Sequence, residues 1–415
     1  TKSYRVVNWQ KQNSKSGVWE VVAKDKFIAK DLIERMGSNT ALGLYPYLEQ
    51  VEVKINTAKE FFQFREDFEK EYDPDVPVTI KDGLNITLPK DWKPFDKYTG
   101  TIRLSDGNTP VTFLMNGSEP LFNNFGGTLN LFNIALQKSV TLSGDDTDWG
   151  ALARRNTGSI GYCKVYPSPA LISSLSEDAS VIQVDDTSGL KNVGGLVGSN
   201  SGTLTNCRAG LKDTILSIHN PRAGTCTGGL IGRNTGTVNN DNQGYATSNI
   251  SLSIVDTAGA GGLAGYNGNT ASIKSIGSAV TIKTADSDVN SRNIGGAVGH
   301  NEGGKIKVSN VSADIQITAG GTNVGGAVGW MQGGTLQPSC IVVGSISAPE
   351  GTNVGGVIGK LTGSATVGSN YEKEVVSLGA TGGLALDGNN YNLLKVVVQG
   401  RENVGGIVGS VEDAN

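Results

Sequence analysis

Residues 192–202 read NVGGLVGSNSG, and this stretch decides the fold because it returns along the chain. Its central phrase, Gly194-Gly195-Leu196-Val197-Gly198, comes back as GGLIG at 228–232, GGLAG at 261–265, GGAVG at 295–299 and 325–329, GGVIG at 355–359 and GGIVG at 405–409. The second glycines stand at 195, 229, 262, 296, 326, 356 and 406, so the steps are 34, 33, 34, 30, 30 and 50 residues. The last, long step holds a degenerate unit at Gly382-Gly383-Leu384. The phrase runs on to an asparagine at Asn200, Asn234, Asn267 and Asn301, and this longer template recovers upstream copies at 150–160 (GALARRNTGSI) and, more weakly, 121–129 (LFNNFGGTL).

Between the glycine phrases lie short alternating runs: Ile250-x-Leu252-x-Ile254, Val280-x-Ile282, Ile315-x-Ile317 and Val396-x-Val398. Period-two alternation places one face inward and one outward. A unit of this length, made of short strands without a helical pattern, cannot bury its inner face alone; it does so by stacking copies along an axis. The expected architecture is therefore mainly β, a parallel β-helix or solenoid, with some eight or nine rungs extending roughly 40 Å. A propeller would need about four strands and usually 40 or more residues per blade. Positive φ at the corners and flat packing of backbone on backbone account for the 58 glycines, about 14% of 415 residues against roughly 7% on average. Asn192, Asn293, Asn323, Asn353 and Asn403 precede the phrase at one register, where successive rungs would stack their amides in a hydrogen-bonded ladder.

The N-terminal third reads differently, as a small α/β region at 1–50 with strands near 4–8 and 18–23 and a short helix at 26–36 ended by Gly37. A second segment, 51–119, carries a strand at 51–55 and then Thr57-Ala58-Lys59-Glu60, a capping box before a helix with Phe61, Phe64 and Phe68 on one face. An amphipathic helix there is placed to cap the open first rung of a solenoid occupying 120–415.

The repeated phrase resembles the GLUG-motif repeats of large bacterial surface-exposed and secreted proteins, some from gut Bacteroidales. Val53-Lys54-Ile55-Asn56-Thr57-Ala58-Lys59-Glu60-Phe61 is similar to their strand-then-helix lead-in. Trp92-Lys93-Pro94-Phe95, Tyr98-Thr99-Gly100-Thr101-Ile102 and Leu121-Phe122 with Gly127-Thr128-Leu129 follow the order of their first rungs. The resemblance covers about 51–415. It implies a right-handed, pectin-lyase-like β-helix on a bacterial cell surface, often within an adhesin or beside a separate catalytic domain, and it implies no active site. Met331 and Leu361 stand where the family has asparagine.

Composition excludes several classes. A formal net charge of −4 without a Lys/Arg-rich block leaves no footprint for nucleic acid or an anionic membrane. No apolar run reaches the length of a transmembrane span, and residues 1–9 lack the apolar stretch of a secretory signal, so an extracellular, cell-surface placement requires a leader or anchor outside this chain. Cys163 and Cys207 fall four residues after Ser159 and Thr203 on consecutive rungs, as buried thiols or as a disulfide.

Because β-helices can host polysaccharide lyases and glycoside hydrolases, carboxylate register is the test for catalysis. Glycosidases need carboxyl groups about 5 to 9.5 Å apart, on the same or neighbouring rungs. The in-register pairs Asp256/Glu350, Asp185/Asp286 and Asp213/Asp314 are each three rungs apart, about 14 Å. Asp286 and Asp288 share a face, in a Ser/Asp-rich stretch that reads as a solvated loop. Only two histidines exist, His219 and His300, at different registers, so neither a histidine metal site nor a catalytic triad assembles.

Two places remain as binding candidates. Tyr266, His300 and Trp330 follow the glycine phrase at one register on three adjacent rungs and would form a strip of rings for a glycan or protein partner. The longest early interval, 151–195, is an insertion with Trp149 at its base and with Tyr162 and Tyr166 on it, a second contact surface. Beside it, Asp145, Asp146 and Asp148 are candidate Ca²⁺ ligands, the competing reading being an exposed turn; no other cofactor is called for. The functional expectation is a non-catalytic adhesion or ligand-display module, with a polysaccharide-degrading enzyme on the same fold or a purely structural spacer as the alternatives.

Overall fold

A computed structural model describes residues 4–12, 16–23, 45–176, 179–240, 248–284, 288, 290–318, 320–336, 341–367 and 394–412. The expected helix at 26–36, the degenerate unit at 382–384, Asp286 and Cys340 lie outside these residues.

The chain is mainly β and winds into a parallel β-helix. One outer face is a ten-stranded parallel sheet whose strands follow chain order, from Phe95–Tyr98 through Phe122–Phe125, Ala153–Asn156, Val197–Asn200, Ile231–Asn234, Ala264–Asn267, Val298–Asn301, Val328–Met331 and Ile358–Thr362 to Val408–Glu412. Each strand pairs with its counterpart one repeat later, as in Val197↔Ile231, Ile231↔Ala264 and Ala264↔Val298, so the repeat period is the pairing register. At about 4.8 Å per rung, ten strands extend roughly 45 Å. The remaining faces join into a 28-stranded parallel sheet, because in the later rungs strands such as Ser272–Thr284, Lys305–Gln316 and Ile341–Gly355 run on around the corner. Separate from these, Tyr4–Gln12, Trp19–Ala23 and Tyr45–Gln50 form a three-stranded antiparallel sheet.

The interior is a set of apolar columns, one residue per rung. Leu196, Leu230, Leu263, Ala297, Ala327 and Val357 make one; Val197, Ile231, Ala264, Val298, Val328 and Ile358 make another, and all are buried. The paired glycines of the repeat owe their identity to space. A Cβ on Gly296 would lie 2.1 Å from the carbonyl oxygen of Gly326 on the next rung, and none of the paired glycines takes a positive φ.

The left-handed corner belongs instead to asparagine: Asn293, Asn323, Asn353 and Asn403 have φ of 57°, 60°, 58° and 52°. Asparagine tolerates this conformation because its short polar side chain hydrogen-bonds locally. These four make the expected ladder: Asn323, Asn353 and Asn403 each donate from Nδ2 to the Oδ1 of the preceding rung at 2.8 Å, and Asn293 starts it by donating to the Ala258 carbonyl. Asn192 does not join it, since Cys226 and Gly259 occupy the two rungs between; Asn192 donates to Asp148 Oδ1 at 2.7 Å. A second ladder, running in the opposite donor sense, links Asn156, Asn200, Asn234, Asn267 and Asn301 at 2.7 to 2.8 Å. It ends where Met331 replaces the asparagine and Asn301 turns to the Gly333 carbonyl.

The capping helix, α1, spans Ala58–Glu71. Thr57 Oγ1 accepts from Glu60 N, and the Glu60 carboxylate accepts from Thr57 N, the reciprocal bonds of a capping box. Phe61, Phe64 and Phe68 are buried against the first rungs, Phe61 stacking on Trp92 at 5.7 Å between centroids and Phe68 meeting Phe95 edge-on at 5.1 Å.

Candidate functional site

In the ten-stranded face the strand Val298–Asn301 buries Val298, Gly299 and Asn301 and leaves only His300 partly exposed. Strand pairing places Arg233, Tyr266, His300, Trp330 and Lys360 opposite one another on five successive rungs. The rings identified from their register are therefore adjacent. His300 stacks on Trp330, with centroids 4.4 Å apart and planes within 5°; Tyr266 meets His300 edge-on at 5.3 Å; the Arg233 guanidinium lies 4.1 Å from the Tyr266 ring centre, a cation–π contact.

The polar tips of the rings all reach one rung forward. The Tyr266 hydroxyl donates to the Glu302 carboxylate; His300 Nε2 lies 3.1 Å from Gln332 Oε1; Trp330 Nε1 donates to Thr362 Oγ1 at 3.0 Å. Lys360 Nζ continues the pattern with Glu412 Oε2 at 2.7 Å. Glu302, Gln332 and Thr362 stand two residues after His300, Trp330 and Lys360, and Glu412 two after Ser410, which pairs with Lys360, so the four form a polar file beside the column. Sequence reading missed this file, although the signal was available: it is the outward position that follows the rings by two. Burial, and then the bond to Glu302, push the Tyr266 phenol up to about 12. Burial holds the His300 imidazole below its ordinary value.

Such a column can bind along its edges. His300 and Trp330 spend faces on each other, and one face of Tyr266 is taken by Arg233. Tyr266 is 9% exposed, so what faces outward is the edges of His300 and Trp330 beside carboxylate, amide and hydroxyl groups, suited to hydrogen bonding with a chain lying parallel to the rod axis.

The other proposed contact residues are dispersed. Trp149 is a core residue, 2% exposed, with Nε1 donating to the Ser118 carbonyl at 2.7 Å; a buried indole offers no contact surface. Tyr162 is exposed, with φ of 54°, and Tyr166 is half-buried, which raises its phenol pKa. The insertion also carries a one-and-a-half-turn helix, α2, at Pro169–Ser174.

The acidic cluster is engaged by arginines. Asp146 Oδ2 lies 3.0 Å from Arg154 Nη1, whose other nitrogen meets Glu119 at 2.6 Å. Asp148 is buried and accepts from Arg155 Nε and from Asn192 Nδ2, each at 2.7 Å. Asp145 is exposed. Among the described residues no group of three or more His, Cys, Asp or Glu side chains is arranged to hold a metal ion. Asp288, expected in a solvated loop, is instead fully buried, one oxygen accepting from the backbone of Asp256, Asn290 and Ser291. Cys163 and Cys207 are free, buried thiols on adjacent rungs.

Set against family models, curated proteins and solved structures, the chain matches none of them.

Proposed function

We propose that this chain is a non-catalytic ligand-display module of a bacterial cell surface, of the kind its GLUG-like repeat resembles, and that it holds a glycan or protein partner along the ring column of the β-helix. The observation that carries this reading is the continuity of Arg233, Tyr266, His300, Trp330 and Lys360 over five rungs, with Glu302, Gln332 and Thr362 beside them. Individually weak contacts repeated at rung spacing on a rigid rod add by avidity. The insertion bearing Tyr162 and Tyr166 supplies a second contact surface. Placement on the cell surface rests on the repeat resemblance, and no helix among the described residues is long and apolar enough to cross a membrane.

A structural spacer is the second reading, favoured by the internal pairing of each ring tip. An immobilised-glycan array separates the two, scored for retention and for release of reducing ends, with the parent chain and Trp330→Ala. Retention without cleavage, weakened several-fold in Trp330→Ala, is the expected result. Silence on every glycan and on a panel of surface proteins leaves the spacer, and cleavage of any polysaccharide replaces the proposal with an enzyme.

A further inference from the structure

A second surface, beside the buried phenylalanines of the capping helix, has a different chemistry. A groove of about 920 Å³ opens to solvent between α1 and the turns of the first rungs, within the usual size of a ligand site. Leu88 and Trp92 lie at its base, both buried, and Phe62 forms part of the helix wall. The wall is fixed rather than loosely apposed: Arg65 of α1 donates to the carbonyls of Lys93 and Pro94, each at 2.7 Å, tying the helix to the loop that bears Lys93.

The groove is basic in an acidic chain. Lys70, Lys90, Lys93 and Lys138 line it, all exposed, and among the described residues none of them forms an ion pair. Of the carboxylates lining it, Glu69 is taken by Arg65 at 2.9 Å, which leaves Glu66 and Asp91 against four free ammonium groups. Four unpaired lysines converging on one concavity repel each other, so the arrangement favours an anion between them.

Their spacing narrows the class. Thr87 pairs with Leu114 and Leu114 with Ala135, so Lys90, Gly117 and Lys138 follow one another at the same turn on three successive rungs. Gly117 is held to glycine because a Cβ would lie 2.4 Å from the Lys90 carbonyl oxygen, and the rung between the two lysines therefore carries no side chain. Two rungs separate the ammonium stems by about 10 Å. That is the repeat of two sugar units in an extended glycan. Alternate carboxylates of an extended peptide recur at only about 6.8 Å, a poorer match.

We infer that this groove binds a linear anionic glycan, its negative groups seated on Lys90 and Lys138 and its sugar rings against the partly exposed Phe62 of the helix wall. The ligand chemistry is an acidic sugar, whether the charge comes from uronate carboxylates or from sulfate esters. The assignment is independent of the ring column, on a different face of the rungs.

Calorimetric titration of the full chain with tetragalacturonate, its methyl ester, a chondroitin sulfate tetrasaccharide and poly-L-glutamate tests it. Binding of a charged tetrasaccharide is expected, weakening with added salt, absent for the methyl ester, and reduced about tenfold in Lys90→Gln/Lys138→Gln. Lys305→Gln/Lys307→Gln, which removes the same charge from exposed positions of a strand elsewhere, is expected to bind as the parent does. Loss of binding when the chondroitin tetrasaccharide is desulfated identifies sulfate as the source, and retained binding identifies the uronate carboxylates. The inference is overturned if neither binds, if the ester binds equally, if the Lys90/Lys138 double variant keeps parental affinity, or if poly-L-glutamate binds best.

Discussion

Asn323 combines two demands that no other residue type meets together. Its backbone is left-handed, with φ of 60°, and its amide sits in the middle of the ladder, donating to Asn293 and accepting from Asn353 at 2.8 Å. Asn323→Ala adds left-handed strain of about 1–2 kcal/mol and breaks two buried hydrogen bonds at about 1 kcal/mol each, a loss of roughly 3 to 4 kcal/mol. Asn323→Gly loses the bonds without the strain and should be the milder variant by about 1 kcal/mol. Urea unfolding midpoints measure the order, and an alanine variant as stable as the glycine one would remove strain from the explanation. Histidine supplies the pH dependence near neutrality. Burial lowers both His219 and His300 from 6.5, and for His300 the nearby Arg233 and Arg292 act in the same direction while Gln332 and Glu302 oppose. A lowered folded-state value means that the unfolded chain takes up the proton first. Stability is therefore full above the unfolded value of about 6.5 and falls as pH drops from there through the lowered folded values. Melting temperature should decline over that window, and His219→Gln/His300→Gln should flatten the decline.

At the scale of the element, α1 is both the most legible part of the sequence and the most testable. Thr57 and Glu60 announce its start, and Phe61, Phe64 and Phe68 its buried face, because capping and 3.6-residue periodicity are local properties. Thr57→Ala should cost about 1 kcal/mol through the lost cap. Phe61→Ala should cost about 3–5 kcal/mol, since Phe61 is 4% exposed and touches Trp92, Phe95 and Phe113. Chemical denaturation of the two variants checks the contrast, and equal effects would mean that the helix contributes little packing. The strands were less legible. Val280-x-Ile282 shows only the end of what proves to be the continuous strand Ser272–Thr284, in which the rung runs on past the corner. Of the two reasons offered for the glycines, positive φ does not apply to the paired ones, whereas backbone-on-backbone packing does, the constraint coming from a backbone one repeat away.

For the whole molecule, the repeat period fixed which residues become neighbours. Tyr266, His300 and Trp330 could be placed side by side from their offsets alone, since the strand register equals the repeat. Their hydrogen-bond partners are legible only once that register is carried one rung forward and two residues on, to the neighbouring column. The burial of Trp149 was hidden for a related reason: its indole is satisfied by Ser118, 31 residues earlier.

The same geometry governs how the rod carries load. Backbone bonds between rungs, and both asparagine ladders, all point along the axis. Tension applied between the two ends therefore strains the bonds of one terminal rung at a time rather than shearing many strands together. The rod should lengthen in a staircase, each step freeing a repeat of 30 to 34 residues, or about 100 Å of extended chain. Optical tweezers would resolve such steps, whereas a single cooperative rupture would mean that the rungs yield as one body. A tether that pays out in this way keeps its hold under a passing flow while shedding force a little at a time.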